Sequence, residues 1–324
     1  MDHLPPPEAA TGFLAAPRTL LEIATLIDRD ALQGGVLLTG PQGQGKATVA
    51  YLIAATLLSG GHRLGEVDAK VQSLVAARAH PDLLTLERTE HPKTGKLRQA
   101  IEVDAVRAVI ERLHQTSTSG RRVVVVDLAD DLGRNAANSL LKMLEEPPRG
   151  TCLLLLSLAP SRLLPTIVSR CRRISLLPVD DEPLARWLAD TAGIAPDEAR
   201  RIAEAADGAP GRARRLAAGE GREAAELATR LLDAARRDED LVPVARRFSG
   251  KNAEPTAEEA ARLVLGRLGR ELREAELSGR GDARLLEAYD EAARLFGEAG
   301  TADPAQTALM AGLAIRHALA GRAA

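Results

Sequence analysis

The feature that most constrains the fold of this 324-residue chain is a glycine-rich segment between a predicted strand and a predicted helix. The apolar run Gly35–Thr39 predicts a strand, and Lys46–Leu58 has the periodicity of a helix. The residues between them follow the pattern Gly-x-x-x-x-Gly-Lys, whose glycines let backbone N–H groups approach phosphate oxygens at a helix N-terminus. The residues expected to contact phosphate are the three glycines and the lysine of this motif, Gly40, Gly43, Gly45 and Lys46.

Strand and helix patterns alternate over the first 178 residues, whereas only helical patterns follow them. Further strands are predicted at 82–87, 122–127, 152–156 and 173–177, with helical segments between most of them. This alternation predicts a parallel α/β sheet. We therefore expect an α/β nucleotide-binding-type domain at 1–178, a small helical lid at 179–220 and an all-α domain at 221–324.

Two groups that an ATP-hydrolysing P-loop enzyme needs are missing. The position after Lys46 usually carries a hydroxyl that binds Mg²⁺, and here it is Ala47. Thr48 lies about 100° further round the helix, so it cannot simply replace that hydroxyl, although it remains a candidate for nucleotide contact. Asp127 ends its strand where it could help to hold Mg²⁺. The second missing group is the base that activates water at the next position, because the side chain of Leu128 cannot take a proton.

These losses leave two interpretations of the phosphate loop open. The loop can bind ATP or ADP weakly, or it can have lost binding altogether. In either case we expect negligible hydrolysis by this chain alone. Asp130 and Asp131 are not expected to repair the site, because beyond the strand end they should face other directions.

The composition argues against several classes of function. A formal net charge of −2 is unlike the basic footprint of a free-standing DNA-binding protein. Apolar runs such as Val49–Ala55 are too short to span a bilayer, and the acidic, proline-rich N-terminus is unlike a signal peptide, so a cytoplasmic protein with no membrane partner is expected. The two cysteines, Cys152 and Cys171, cannot alone form a four-thiolate site, and no metal is expected.

Three motifs in the α/β region resemble one protein family. Residues Asn135–Pro148 read NAANSLLKMLEEPP, Leu163–Cys171 read LLPTIVSRC, and residues 80–82 read HPD. Together they resemble the bacterial clamp-loader AAA+ subunits of DNA polymerase III, which comprise the γ/τ motor subunits and the δ′ subunits. The resemblance covers roughly residues 31–220, and the remainder fits only as a helical collar.

Within this family the chain is most similar to the δ′ subunits. The γ/τ motors carry Lys-Thr and Asp-Glu-Ala-Asp where this chain has Lys46-Ala47 and Asp127-Leu128-Ala129-Asp130. The resemblance implies an α/β AAA+ P-loop domain, a helical lid and an all-α collar domain for oligomerisation. It also implies a hetero-pentamer with γ/τ and δ subunits that acts on the sliding clamp and primed DNA. Many relatives carry a four-cysteine zinc module where residues 60–79 lack cysteine, so no zinc is expected.

The resemblance also implies roles for three residues outside the phosphate loop. Ser157 lies where the family's first sensor contacts the γ-phosphate, although a strand-end serine without a ligand fits equally well. Gly211 lies where the family's second sensor is an arginine. In the family, the arginine of the motif Ser169-Arg170-Cys171 reaches the ATP site of the neighbouring subunit. From the arginine alone, a solvated basic cluster of Arg170, Arg172 and Arg173 is the favoured interpretation, and the full Ser-Arg-Cys context reverses this preference.

The resemblance therefore implies a δ′-like stator that helps to load the clamp and supplies Arg170 to a neighbouring ATPase subunit. Such a subunit has no ATPase activity of its own. The alternatives are a catalytically active clamp-loader ATPase of γ/τ type or another AAA+ motor, and a small P-loop kinase or nucleotide switch. Assembly separates these hypotheses, because a stator joins other subunits and forms no ring alone.

Overall fold

The computed structural model describes residues 8, 13–90, 95, 97–113, 115–219, 221–249, 254–278, 283–297 and 303–319. The chain forms two compact units. The first contains residues 1–196 and 208–214, and the second contains residues 197–207 and 215–324. The three-part division at residues 178 and 220 remains a prediction.

The first unit contains a five-stranded sheet. Its strands are β1 (Gly34–Thr39), β2 (Leu83–Leu86), β3 (Arg122–Val126), β4 (Thr151–Ser157) and β5 (Cys171–Ser175). Their order across the sheet is β2-β3-β4-β1-β5, and all four neighbouring pairs are parallel. Every carboxyl end therefore lies on the same edge of the sheet, which is where open α/β sheets bind ligands.

Helices lie over both faces of this sheet because its central strands are apolar on both sides. Along β3, Val123 and Val125 pack with α1, α2 and α3, whereas Val124 and Val126 pack with α4, α5 and α6. The helices of the described residues are α1 (Pro17–Asp28), α2 (Lys46–Leu58), α3 (Ala69–Ala76), α4 (Val103–Leu113), α5 (Arg134–Glu145), α6 (Pro165–Val168), α7 (Asp181–Ala192), α8 (Pro196–Ala206), α9 (Pro210–Ala217), α10 (Arg222–Arg236), α11 (Val242–Ala245), α12 (Glu254–Leu277), α13 (Ala283–Gly297) and α14 (Pro304–Leu319).

The second unit is helical throughout its described residues. Its core forms where α10 packs on α12 and α14, and where α13 packs on α12 and α14. Leu231, Leu268 and Ile315 are fully buried there. The predicted fold class, an α/β P-loop domain followed by all-α segments, is confirmed.

The last strand is displaced from its predicted position, and several helices, such as α1 and α3, were not predicted. The last strand was expected at 173–177, but β5 covers Cys171–Ser175 because Gly35 of β1 pairs with Cys171 and Thr39 pairs with Ser175. The sequence pattern also missed α1, an amphipathic helix that begins at Pro17 without a side-chain cap.

Among the described residues, no helix combines the length and the apolar character that a membrane span requires.

Candidate nucleotide site and exposed arginine

The predicted site residues converge on the carboxyl edge of the sheet. The glycine-rich loop follows β1, Asp127 follows β3, and Ser157 ends β4. These three strands are neighbours in the order β3-β4-β1. The sheet topology thus brings together the residues that the sequence predicted from separate motifs.

The loop binds its own lysine through backbone carbonyls. Lys46 Nζ donates hydrogen bonds to Gly40 O and Pro41 O, both at 2.8 Å. Burial lowers the pKa of Lys46 to about 8, although the carboxylates of Asp130 and Asp127 act in the opposite direction. The ammonium is therefore buried in the loop that is predicted to contact phosphate, but its hydrogen bonds go to two carbonyl oxygens of the loop.

The same loop is joined to the segment at the start of α9. Gly211 N–H donates to Gly43 O at 2.8 Å. The amide of Gln44, which is 2% exposed, donates to Leu177 O at 2.7 Å and to Gly208 O at 3.0 Å. We call these three hydrogen bonds the loop latch. It joins the phosphate loop to Leu177 and to residues 208–211.

Glycine at position 211 is required by this approach. A Cβ there would lie 2.9 Å from Gly43 O, and a Cβ on Gly43 would lie 3.1 Å from Arg212 N. Both distances are shorter than ordinary van der Waals contact. The arginine that the resemblance implies at this position would therefore displace the phosphate loop. The loop latch depends on glycine at position 211.

The positions that would handle Mg²⁺ and water carry apolar side chains. Ala47 is half-buried and packs against the apolar core between the sheet and α2, and Thr48 follows it on α2. Leu128 adopts a φ of +63°, a backbone conformation that is costly for a residue with a Cβ. Burial raises the pKa of Asp127, and the nearby charge of Glu87 adds to this effect.

The Ser157 hydroxyl is bound within the protein. It donates to Asp130 Oδ1 at 3.0 Å, and the same carboxylate accepts hydrogen bonds from the N–H groups of Leu158 and Ala159, both at 2.9 Å. The prediction that Asp130 faces away from the site is wrong, because the turn after β3 carries its carboxylate back to the end of β4. The Ser157 hydroxyl, which would contact a γ-phosphate, is therefore already hydrogen-bonded to Asp130.

These residues do not fit a magnesium-bound nucleoside triphosphate. The magnesium hydroxyl and the water-activating group are replaced by apolar side chains, while Lys46 and Ser157 have partners within the chain. In the described part of the chain, no group of three or more His, Cys, Asp or Glu side chains could hold a metal ion.

Arg170 lies apart from these contacts, between α6 and β5. Its side chain is 37% exposed. One terminal nitrogen, Nη1, donates to Thr166 O at 3.1 Å, and the other, Nη2, lies 2.7 Å from Glu145 Oε1. A guanidinium has five N–H donors, so these contacts leave donors for a further anion.

Sequence reasoning left Gln44, Asp130 and Glu145 out of these sites. All three lie within the motifs singled out above, but their partners Leu177, Ser157 and Arg170 are remote in sequence, so the motifs alone could not show these contacts. Gly211 did give a signal, since it departs from the family motif.

A family model described as "DNA polymerase III, delta subunit" matches residues 16–180. The DNA polymerase III subunit delta' of Pseudomonas aeruginosa is 43% identical over 169 residues, which are 50% of this chain and 49% of the relative. The subunit delta' of Bacillus subtilis is 30% identical over 189 residues, which are 57% of this chain and 54% of the relative. The matches therefore span about half the length of these relatives.

Solved structures are more distant. The Thermotoga maritima RuvB Holliday junction branch migration motor has a TM-score of 0.46 at 15% identity, over 89% of this chain and 91% of that one. The family model, in contrast, covers half of the chain, and the sequence relatives agree with it. The chain therefore belongs to the DNA polymerase III delta' family.

Proposed function

We propose that this chain is the non-hydrolysing δ′ subunit of a bacterial clamp loader. In this role it joins γ/τ and δ subunits in a hetero-pentamer that places the sliding clamp on primed DNA. Arg170 completes the ATP site of a neighbouring ATPase subunit. The chain itself binds ATP or ADP weakly or not at all. Residues 179–220 act as a lid, and residues 221–324 form part of the collar.

The observation that carries this proposal is the contrast between the two sites of the first unit. In the phosphate loop, Lys46 has two partners within the chain, and Ser157 donates to Asp130. Arg170 is one-third exposed and keeps guanidinium donors for another anion. Such a chain is poorly equipped to hydrolyse ATP and well equipped to assist a site in another subunit.

The chemistry of Arg170 suits that role. A guanidinium spreads its positive charge over a planar fork of N–H donors that matches phosphate oxygens. A positive charge beside a transferring phosphoryl group stabilises the charge that develops in the transition state.

The test is the ATPase rate of the complete loader, reconstituted from this chain and its cognate subunits with clamp and primed DNA. Arg170→Ala should lower the rate of the assisted site at least about tenfold, since arginine fingers contribute 10³–10⁵ in well-studied GTPases. Arg172→Ala is the matched control, because Arg172 is exposed on β5 two residues away. The isolated chain should be inactive.

The opposite result identifies the alternative function. If the isolated chain hydrolyses ATP and Arg170→Ala leaves the rate of the complex unchanged, the chain is an active γ/τ-like ATPase or another AAA+ motor with an unusual catalytic set.

A further inference from the structure

We infer that Glu145 is a positioning residue for Arg170, so that the carboxylate at the end of α5 holds the guanidinium in the direction in which it meets an anion of another subunit. This inference rests on the proposed function of Arg170.

Two contacts hold the guanidinium of Arg170. Glu145 is the last residue of α5, and Arg170 lies in the short connection between α6 and β5. The two charged groups approach to 2.7 Å. On its other terminal nitrogen, Arg170 donates to Thr166 O at 3.1 Å. The guanidinium is therefore held at both terminal nitrogens, which limits rotation about the last bonds of a long and flexible side chain.

The exposure of the ion pair limits what it contributes to stability. The pair lies at the surface, with Glu145 49% exposed and Arg170 37% exposed. Exposed ion pairs typically contribute little to stability, about 0–1 kcal/mol. Stability therefore does not account for the contact. Orientation does, because an arginine that is already aligned loses less side-chain entropy when it engages a phosphoryl group.

The accessibility of Arg170 distinguishes positioning from inhibition. A contact that withheld Arg170 from other partners would bury the guanidinium. Here about one-third of the side chain remains accessible, and donors beyond the two contacts remain. The geometry thus favours a support that leaves the arginine available.

The experiment is a double-mutant cycle in the reconstituted loader, with kcat and KM for ATP as readouts. Glu145→Gln keeps the length of the side chain and removes its charge. It should lower kcat about three- to tenfold, the effect of weakening one charge-assisted contact in the transition state, with little change in KM. On the Arg170→Ala background, Glu145→Gln should have no further effect.

Two controls separate positioning from folding. Glu146→Gln removes the neighbouring carboxylate, which is exposed, and should leave kcat unchanged. The thermal midpoint of the Glu145→Gln chain should equal that of the unmodified chain, because the pair contributes little to stability.

Failure of the positioning role and failure of the proposed function give different results. If Arg170→Ala slows the complex but Glu145→Gln leaves kcat unchanged or raises it, the positioning role is overturned while the proposed function stands. An equal effect of Glu145→Gln on both backgrounds also overturns positioning, since the carboxylate would then act without Arg170. If Arg170→Ala has no effect, both proposals fail.

Discussion

Asp82 shows how one buried carboxylate holds a loop against the sheet. It precedes β2 and is 3% exposed. Its oxygens accept hydrogen bonds from the N–H and hydroxyl groups of both Thr118 and Ser119, at 2.5–3.0 Å for Oδ2. Arg122 lies 3.7 Å away. This single side chain therefore fixes the connection that leads into β3.

We expect Asp82→Ala to lower the free energy of unfolding by about 2–4 kcal/mol, because buried donors and a nearby charge lose their acceptor. Urea denaturation measures this loss. Asp104→Ala is the matched control, since Asp104 is 83% exposed and its pair with Arg107 should contribute little. Equal losses for the two variants would contradict the role assigned to Asp82.

The pKa of Asp82 gives this contribution a defined pH dependence. Burial alone would raise the pKa, but the hydrogen bonds from Thr118 and Ser119 together lower it below 3.8. In the acidic range the unfolded state therefore binds more protons, so stability rises with pH there. The advantage of the unmodified chain over Asp82→Ala should be complete above about pH 5 and should diminish as the pH falls through the native pKa. Urea denaturation from pH 3 to pH 7 measures the free energy of unfolding of both chains. A difference between them that stayed constant over this range would contradict the account.

At the scale of elements, the loop latch joins the loop between β1 and α2 to Leu177, to Gly208 and to the first turn of α9. Gly43 and Gly45 both have a φ of +84°, so alanine costs about 1 kcal/mol at either position for backbone conformation. They differ in their surroundings. A Cβ on Gly43 would meet Arg212 N at 3.1 Å, whereas a Cβ on Gly45 would meet nothing within 4 Å.

Gly43→Ala should therefore destabilise the chain by about 1–3 kcal/mol more than Gly45→Ala, the usual cost of overpacking. It should also speed hydrogen exchange at the amide of Gly211, which donates to Gly43 O. Gly45→Ala serves as the control for backbone strain. Similar exchange rates at Gly211 in the two variants would show that the latch does not depend on this close approach.

The sequence predicted the elements that have a regular residue pattern, namely the apolar strands and the periodic helices. The apolar run of β3 and the helical periodicity of α2 identified these two elements, and the alternation of strands and helices identified a parallel sheet. It could not predict the latch, because Gln44 and Gly208 meet only through tertiary packing. It could not predict the pair of Glu145 with Arg170 for the same reason.

The backbone at Leu128 was equally unpredictable. A φ of +63° is uncommon for leucine, so local preference gave the opposite expectation. This conformation belongs to the turn that carries Asp130 back to Ser157. A tertiary contact therefore overrides the local preference and changes the chemistry of the site.

At the scale of the whole molecule, the proposed function requires the chain to act within a complex with other subunits. Its phosphate loop holds its own lysine, while Arg170 has guanidinium donors beyond its two contacts within the chain. Such a division is useful only if a further surface holds the chain in a complex. The second unit offers a candidate, because three large apolar side chains on the packed pair α13 and α14 are exposed by 42–48%, namely Leu286, Met310 and Leu313.

We expect the double substitution Met310→Glu with Leu313→Glu to weaken assembly with the partner subunits at least about tenfold, because charge would replace apolar area at the proposed collar contact. Sedimentation of the mixed subunits measures this effect. The thermal midpoint of the isolated chain should change little, since both side chains are already exposed. Leu21→Glu is the control, because Leu21 is 70% exposed on α1 of the first unit and should leave assembly intact. Normal assembly of the double variant would exclude this surface from the collar contact.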